Sequence, residues 1–268
     1  MLREPADARI RGLVVHVPAF GEEMNKSRRM VAMTSRALAA AGHAVLVPDL
    51  FGCGDSAGEF GDASWEAWVD DVLAAVSWLG RAHDTSVPVW LWGHRAGALL
   101  ACASLPSLPH ATSLLLWSPV TSGAQHLAQF LRLAVTADAL ASGADRARTA
   151  RLRTELGRGE RVEIAGYALP PALAGGLESA SFDVPAAFTG RVVWLEVDAV
   201  AEEGLSPAAS ATIERLRGRG VRVAARAVNG PRFWQAVEIQ DCPALLQATC
   251  AMLPGGQDDD ADVGRAAA

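Results

Sequence analysis

The sequence predicts an α/β protein built on a mostly parallel, doubly wound sheet, with a helical cap inserted in its second half. Short, wholly apolar, β-branched runs recur along the chain, and stretches with apolar residues at helical spacing separate them. The alternation fails once, between Pro119 and Arg191. Strands apolar on both faces belong to parallel sheets covered on each side by crossover helices. A chain of 268 residues is long enough for one such domain, with a core that needs neither disulfide nor metal.

The elements follow in order. Leu13–Val17 (LVVHV), bounded by Gly12 and Pro18, reads as a buried strand. In GEEMNKSRRMVAMTSRALAAAG the residues Met30, Thr34, Ala37, Leu38 and Ala41 recur at helical spacing, and Gly42 suits the end of a helix. HAVLVPDL is the next strand, with pairing expected to stop near Asp49 after Pro48. FGCGDSAGEFGDAS has the composition of a functional loop. Ser64 can cap a helix whose stripe is Trp65, Trp68, Val69, Val72, Val76 and Leu79. VPVWLWG is a strand, Ala96–Ser104 a helix of mostly small residues, and ATSLLLWSPV a further strand. RVVWLEV (191–197) and VRVAARAV (221–228) complete the sheet, with a helix over Pro207–Arg217 between them. A final helix is expected from Phe233 to Leu253, with a break near Pro243. The irregular stretch holds two helical pieces, QHLAQFLRLAV and RARTARLRTEL, and the segment AGYALPPALAGG. The expected organisation is one domain over 1–254, with the cap at about 121–188, and a polar, disordered tail over 255–268.

Composition narrows the function classes. Net charge is −6 and Lys26 is the only lysine, so no basic run is available for nucleic acid. No apolar run approaches the roughly 20 residues of a membrane span, and MLREPADARIRG has no signal-like apolar region. Cys53, Cys102, Cys242 and Cys250 form no C-x-x-C pair. Reduced thiols in a cytoplasmic protein are expected. No H-E-x-x-H pattern or lysine-bearing phosphate loop occurs, so neither metal nor cofactor is expected.

The chemistry turns on GHRAG, residues 93–97. A strand-to-helix turn this tight needs small residues two before and two after its apex, as Gly93 and Gly97 are. The apex is Arg95. A guanidinium only donates hydrogen bonds and stays protonated, so it is neither nucleophile nor base. Buried, it needs an anion, which is either an internal carboxylate or a ligand carboxylate or phosphate. GEEMNKSRR packs Glu22, Glu23, Asn25, Lys26, Arg28 and Arg29 beside the first strand, where a polar network facing Arg95 is expected. Arginines near a helix N-terminus oppose its dipole and call for partners. Cys53, Asp55 and Ser56 lie on the glycine-rich loop, and Cys53 is the alternative nucleophile if His94 or Arg95 depresses its pKa. Ser118 is a weaker candidate. Trp117 and Trp234 can line a pocket, and Glu238, one turn beyond Trp234 on the expected helix, can pair with Arg95.

The runs VPAFGEEMNKSRRMVA, LFGCGDSAGEFGDASWEAW and LWGHRAGALLA resemble the exosortase A system-associated hydrolase 2 family of the α/β-hydrolase superfamily. The similarity continues through SGAQHLAQFLRLAV, VEIAGYALPPALAG and FWQAVEIQDCPAL. The resemblance implies an α/β-hydrolase fold in a bacterial protein tied to exosortase and exopolysaccharide export, found beside a second hydrolase-like protein. It implies no substrate. The sequence departs from the superfamily pattern in two of three catalytic roles. Arg95 holds the nucleophile position. Where a general-base histidine should follow the last strand, NGPRFW has Pro231 and Arg232, and no histidine lies beyond His126. Asp198 fills the acid position, with Glu202 and Glu203 behind it. The two strands that usually precede LVVHV are expected to be missing. The resulting expectation is a pseudoenzyme that binds a small anionic, sugar or acyl ligand. The alternatives are a hydrolase or acyltransferase using Cys53, and a non-catalytic partner of the neighbouring hydrolase.

Overall fold

The structure, a computed structural model, describes residues 1–6, 10–83, 86–136, 144–198 and 204–253. Seven strands form the central sheet: β1 (Leu2–Arg3), β2 (Gly12–Val17), β3 (His43–Leu46), β4 (Val89–His94), β5 (Ser113–Trp117), β8 (Arg191–Asp198) and β9 (Arg222–Asn229). Their order is β1-β3-β2-β4-β5-β8-β9. Only β1 runs antiparallel to its neighbour; the pairs from β3 to β9 are all parallel. The expectation that the two strands before Leu13 are both missing is therefore corrected for one of them. Two residues at Leu2–Arg3 pair with Leu46 and Val45 and extend the sheet's edge, too short a run for periodicity to reveal.

Alternation along β2 divides the core. Leu13, Val15 and Val17 face one layer, which holds α2 (Trp65–Ala82), α3 (Gly97–Ser104) and α7 (Pro207–Gly218). Val14 faces the other, where α1 (Glu22–Ala40) and α8 (Pro243–Met252) lie. Helix α2 begins as its sequence dictates: the Ser64 hydroxyl accepts from the Ala67 N–H at 3.0 Å, and Trp65, Trp68, Val72 and Leu79 are buried. Each such side chain contributes roughly 1.5–3 kcal/mol by leaving water.

The expected helix from Phe233 to Leu253 is also corrected, because only Pro243–Met252 is helical. Proline lacks the N–H an inner turn requires and clashes with the preceding turn, yet fits the first turn, and Pro243 opens α8. The chain before it, 231–242, is a loop. Between β5 and β8 lie α4 (Gly123–Thr136), α5 (Ala144–Gly157), the hairpin β6 (Val162–Ile164) and β7 (Tyr167–Leu169), and α6 (Pro171–Ser179). The hairpin stands where the sequence showed only a Gly/Pro-containing segment; its turn residues, Ala165 and Gly166, both have positive φ. The tail expected over 255–268 lies outside the described residues, as do Glu202 and Glu203. No helix among the described residues is long and apolar enough to cross a membrane.

Candidate functional site

The turn from β4 to α3 is as tight as the glycines require. A Cβ on Gly97 would sit 2.2 Å from the Val17 carbonyl oxygen, and one on Gly93 would sit 2.8 Å from Ala98 Cα. The apex residue, Arg95, takes the left-handed conformation with φ 53°. For a side chain larger than glycine this backbone costs roughly 1–3 kcal/mol. Hydrogen bonds hold it there: the Arg95 N–H donates to the Trp117 carbonyl at 3.0 Å, and its carbonyl accepts from Ala98 and Val120, each at 3.1 Å.

The Arg95 guanidinium is mostly buried, and three neighbours from three parts of the chain satisfy it. Nε donates to Glu23 Oε1 at 3.3 Å, Nη1 donates to the Ser118 carbonyl at 3.0 Å, and the group lies 5.3 Å from the centroid of the Trp234 ring. An internal carboxylate is thus the anion at Arg95. Burial pushes the Glu23 carboxyl above its ordinary range, opposed by Arg95 and by the Gln235 amide beside it. Its second oxygen, Oε2, has no hydrogen-bond partner and lies 4.0 Å from Nε2 of His126 on α4. Burial, reinforced by Arg95, lowers the His126 pKa to about 4, so the ring is neutral.

Two hollows meet at this ion pair, separated by Trp234 and Gln235, which line both. The smaller, about 170 Å³, is bounded by Arg95, Ser118, Glu196 and Arg232. The larger, about 600 Å³, has Phe20, Phe130 and Leu133 as apolar walls and Glu23, Lys26 and His126 as polar ones. Lys26 makes no hydrogen bond or ion pair among the described residues. At the end of β8, Asp198 accepts from Arg232 Nη2 at 2.8 Å. An arginine is therefore the side chain paired with the acid position.

The other predicted residues disperse. Glu22, Asn25 and Tyr167 form a surface cluster: Asn25 Nδ2 and the Tyr167 hydroxyl donate to Glu22 Oε2 at 3.3 and 3.0 Å. Arg28 reaches Asn25 and Asp49, and Arg29 grips Asp241 with two bonds at 2.7 and 2.9 Å. Both arginines at the start of α1 thus find carboxylates away from Arg95. Ser56 closes its own loop by donating to the Leu50 and Cys53 carbonyls at 2.5 and 2.9 Å, and the exposed Asp55 lies beside it.

Four expectations are corrected. The Cys53 thiol is buried and pushed up to about 11, by burial first and by Asp49 next; its one cationic neighbour is Arg28, not His94 or Arg95. Such a thiol is protonated at neutral pH and is no nucleophile. His94 points into the core among Trp117, Phe233 and Trp234, neutral, with both nitrogens unpartnered. Trp117 is likewise fully buried in the core, where its indole N–H donates to Thr249 at 2.9 Å. Glu238 is exposed on the 231–242 loop, and Glu23 takes the partnership expected of it. Sequence reading missed His126, Tyr167, Gln235 and Glu196. Their approach to the site is set by elements distant in the chain, and no local spacing signals it. Among the described residues no group of His, Cys, Asp and Glu is placed to hold a metal ion.

A mostly parallel sheet with this turn at the end of its central strand defines an α/β-hydrolase-superfamily protein. Within it, residues 8–162 match the family described as Hydrolase_4, serine aminopeptidase, S33, and the chain belongs to that family. No curated protein matches it by sequence. Among solved structures it is similar to Est1E from Butyrivibrio proteoclasticus with bound ferulic acid, at 17% identity and TM-score 0.61, covering 94% of this chain and 92% of that one. It is also similar to a thermostable carboxyl esterase from Bacillus coagulans in complex with glycerol, at 18% identity and TM-score 0.53, covering 85% and 84%. An α-β serine hydrolase homologue from Coxiella burnetii shares 14% identity at TM-score 0.53, covering 95% and 90%. At these identities the likeness is one of fold.

Proposed function

We propose that this protein is a ligand-binding member of the superfamily without serine-hydrolase chemistry, and that the 600 Å³ cavity holds a small anionic ligand with an acyl or sugar portion. The observation that carries this reading is the guanidinium at the turn's apex, locked by Glu23, the Ser118 carbonyl and Trp234. Acyl transfer by this fold needs a hydroxyl or thiolate at that point, activated by a base that a third group orients. Here the apex carries a fixed cation, and Asp198 is bonded to Arg232.

The cavity supplies what binding needs: apolar walls and a few convergent polar groups. Because Glu23 neutralises Arg95, Lys26, which has no ion pair among the described residues, is the cation lining the cavity that can meet a ligand's anionic group. We assign the β5–β8 segment the role of a cap, since α4 contributes His126, Phe130 and Leu133 to the cavity wall. The resemblance to the exosortase-associated family supports a place in exopolysaccharide export, with a lipid- or sugar-linked intermediate as ligand.

The test is a thermal scan with medium-chain carboxylates and sugar phosphates. A ligand at a hundred times its Kd adds about 2.7 kcal/mol of stability, and Lys26→Ala should abolish the gain. Ester turnover should stay at background in the wild type and in Arg95→Ser, because the loop after the last strand offers a restored hydroxyl no histidine and Asp198 there is bonded to Arg232. Turnover by the wild type would overturn the reading. A second reading, docking to the neighbouring hydrolase, is favoured by Val237 and Ile239, which are 98% and 79% exposed. Co-purification lost on Val237→Asp and unaffected by Lys26→Ala would support it.

A further inference from the structure

Building on the ligand-binding reading, we propose that Glu23 and His126 form a clamp for a hydroxyl group, and that the cavity takes a hydroxylated amphipathic anion of the hydroxy fatty acid class. Glu23 Oε2 and His126 Nε2 are 4.0 Å apart, too far for a hydrogen bond. One oxygen atom about 2.8 Å from each spans that gap. Both side chains are already fixed. Arg95 holds the other Glu23 oxygen, and the His126 ring packs edge-on to Phe20, with centroids 6.1 Å apart.

The charges select what fits between them. Arg95 beside Glu23 disfavours an ammonium, and the Glu23 carboxylate disfavours a second anion. A neutral hydroxyl meets both demands: it donates to Glu23 Oε2 and accepts from Nε2–H of the neutral imidazole. A buried carboxylate oxygen left without a donor is costly, so the site rewards a ligand that supplies one. Phe20, Phe130, Leu133 and Trp234 offer the same cavity an apolar bed, and Lys26 offers a cation with no ion pair among the described residues. Hydroxyl, apolar body and anionic head together describe the class.

The experiment is isothermal titration of the full chain with decanoate and with 2-, 3- and 10-hydroxydecanoate. At least one hydroxylated isomer should bind tenfold or more tightly than decanoate, and His126→Phe should erase that preference while decanoate still binds. Decanoate binding with no isomer reaching tenfold, or a preference that persists in His126→Phe, overturns the clamp and leaves the ligand-binding reading standing. Failure of all four acids to bind overturns the clamp, and the ligand-binding reading falls with it only if sugar phosphates also fail to stabilise the protein in the thermal scan. A wild-type ratio below tenfold overturns the clamp without any variant, and His126→Leu reads the same loss of preference should His126→Phe fail to fold.

Discussion

At Arg95 the backbone and the side chain are held by different neighbours. Trp117, Ala98 and Val120 fix the turn through the main chain, while Glu23, Ser118 and Trp234 hold the guanidinium. Removing the side chain therefore leaves the turn intact and strands a buried carboxylate. Arg95→Ala should lose roughly 3 kcal/mol near pH 8. The loss should shrink toward pH 5. A carboxyl whose folded pKa is raised opposes folding only above its unfolded value, and protonation relieves it. Urea unfolding at the two pH values checks this, and an equal loss at both would contradict it. At Cys53, burial and Asp49 hold the thiol near 11, leaving about one thiolate per thousand at pH 8. Alkylation of the folded protein at Cys53 should be correspondingly slower than that of a free thiol, and Cys53→Ser should leave ligand stabilisation unchanged.

Elements pack very closely where α3 meets the end of β2. Gly97 has no space for a methyl group, since backbone atoms of Val17 and Pro18 fill the position a Cβ would take. Gly97→Ala should cost about 3 kcal/mol, and more if the strand cannot shift; denaturant midpoints measure it, and a neutral result would contradict the close approach of α3 to β2. The same small-residue pattern made this turn readable in the sequence. The strands were readable because both sheet faces are covered, and α2 because its cap and stripe agree. Short pieces were not. The two residues of β1 and the three-residue strands of the β6–β7 hairpin carry too few side chains for any period, and their pairing depends on partners elsewhere. Helix α8 was over-extended because FWQAVEIQ is apolar enough to suggest a helix; in the structure it forms a loop that presents Val237 and Ile239 to solvent.

The whole molecule carries an acid liability. His16, His43 and His126 are buried with pKa values near 3, 4 and 4, and His94 is also held well below its ordinary value. Desolvation is the first cause in each case. A histidine whose folded pKa is depressed binds its proton only in the unfolded state below about pH 6.5, so folding weakens as pH falls through that point. Each should cost on the order of 2 kcal/mol between pH 6.5 and pH 5. Unfolding free energy should therefore drop steeply over this interval, and a flat profile would show that these rings already hold protons or hydrogen bonds.

Taken by itself, the sequence determined the alternating architecture, the position of the tight turn and the absence of a hydroxyl at its apex, because hydrophobic period, glycine spacing and residue identity are local properties. Only the tertiary structure decided which carboxylate neutralises Arg95, that Asp198 meets Arg232, and that His126 faces Glu23. Those contacts join residues far apart in the chain. Charge pairing acts through space over a few ångströms, and sequence separation carries no record of that distance until the chain has folded.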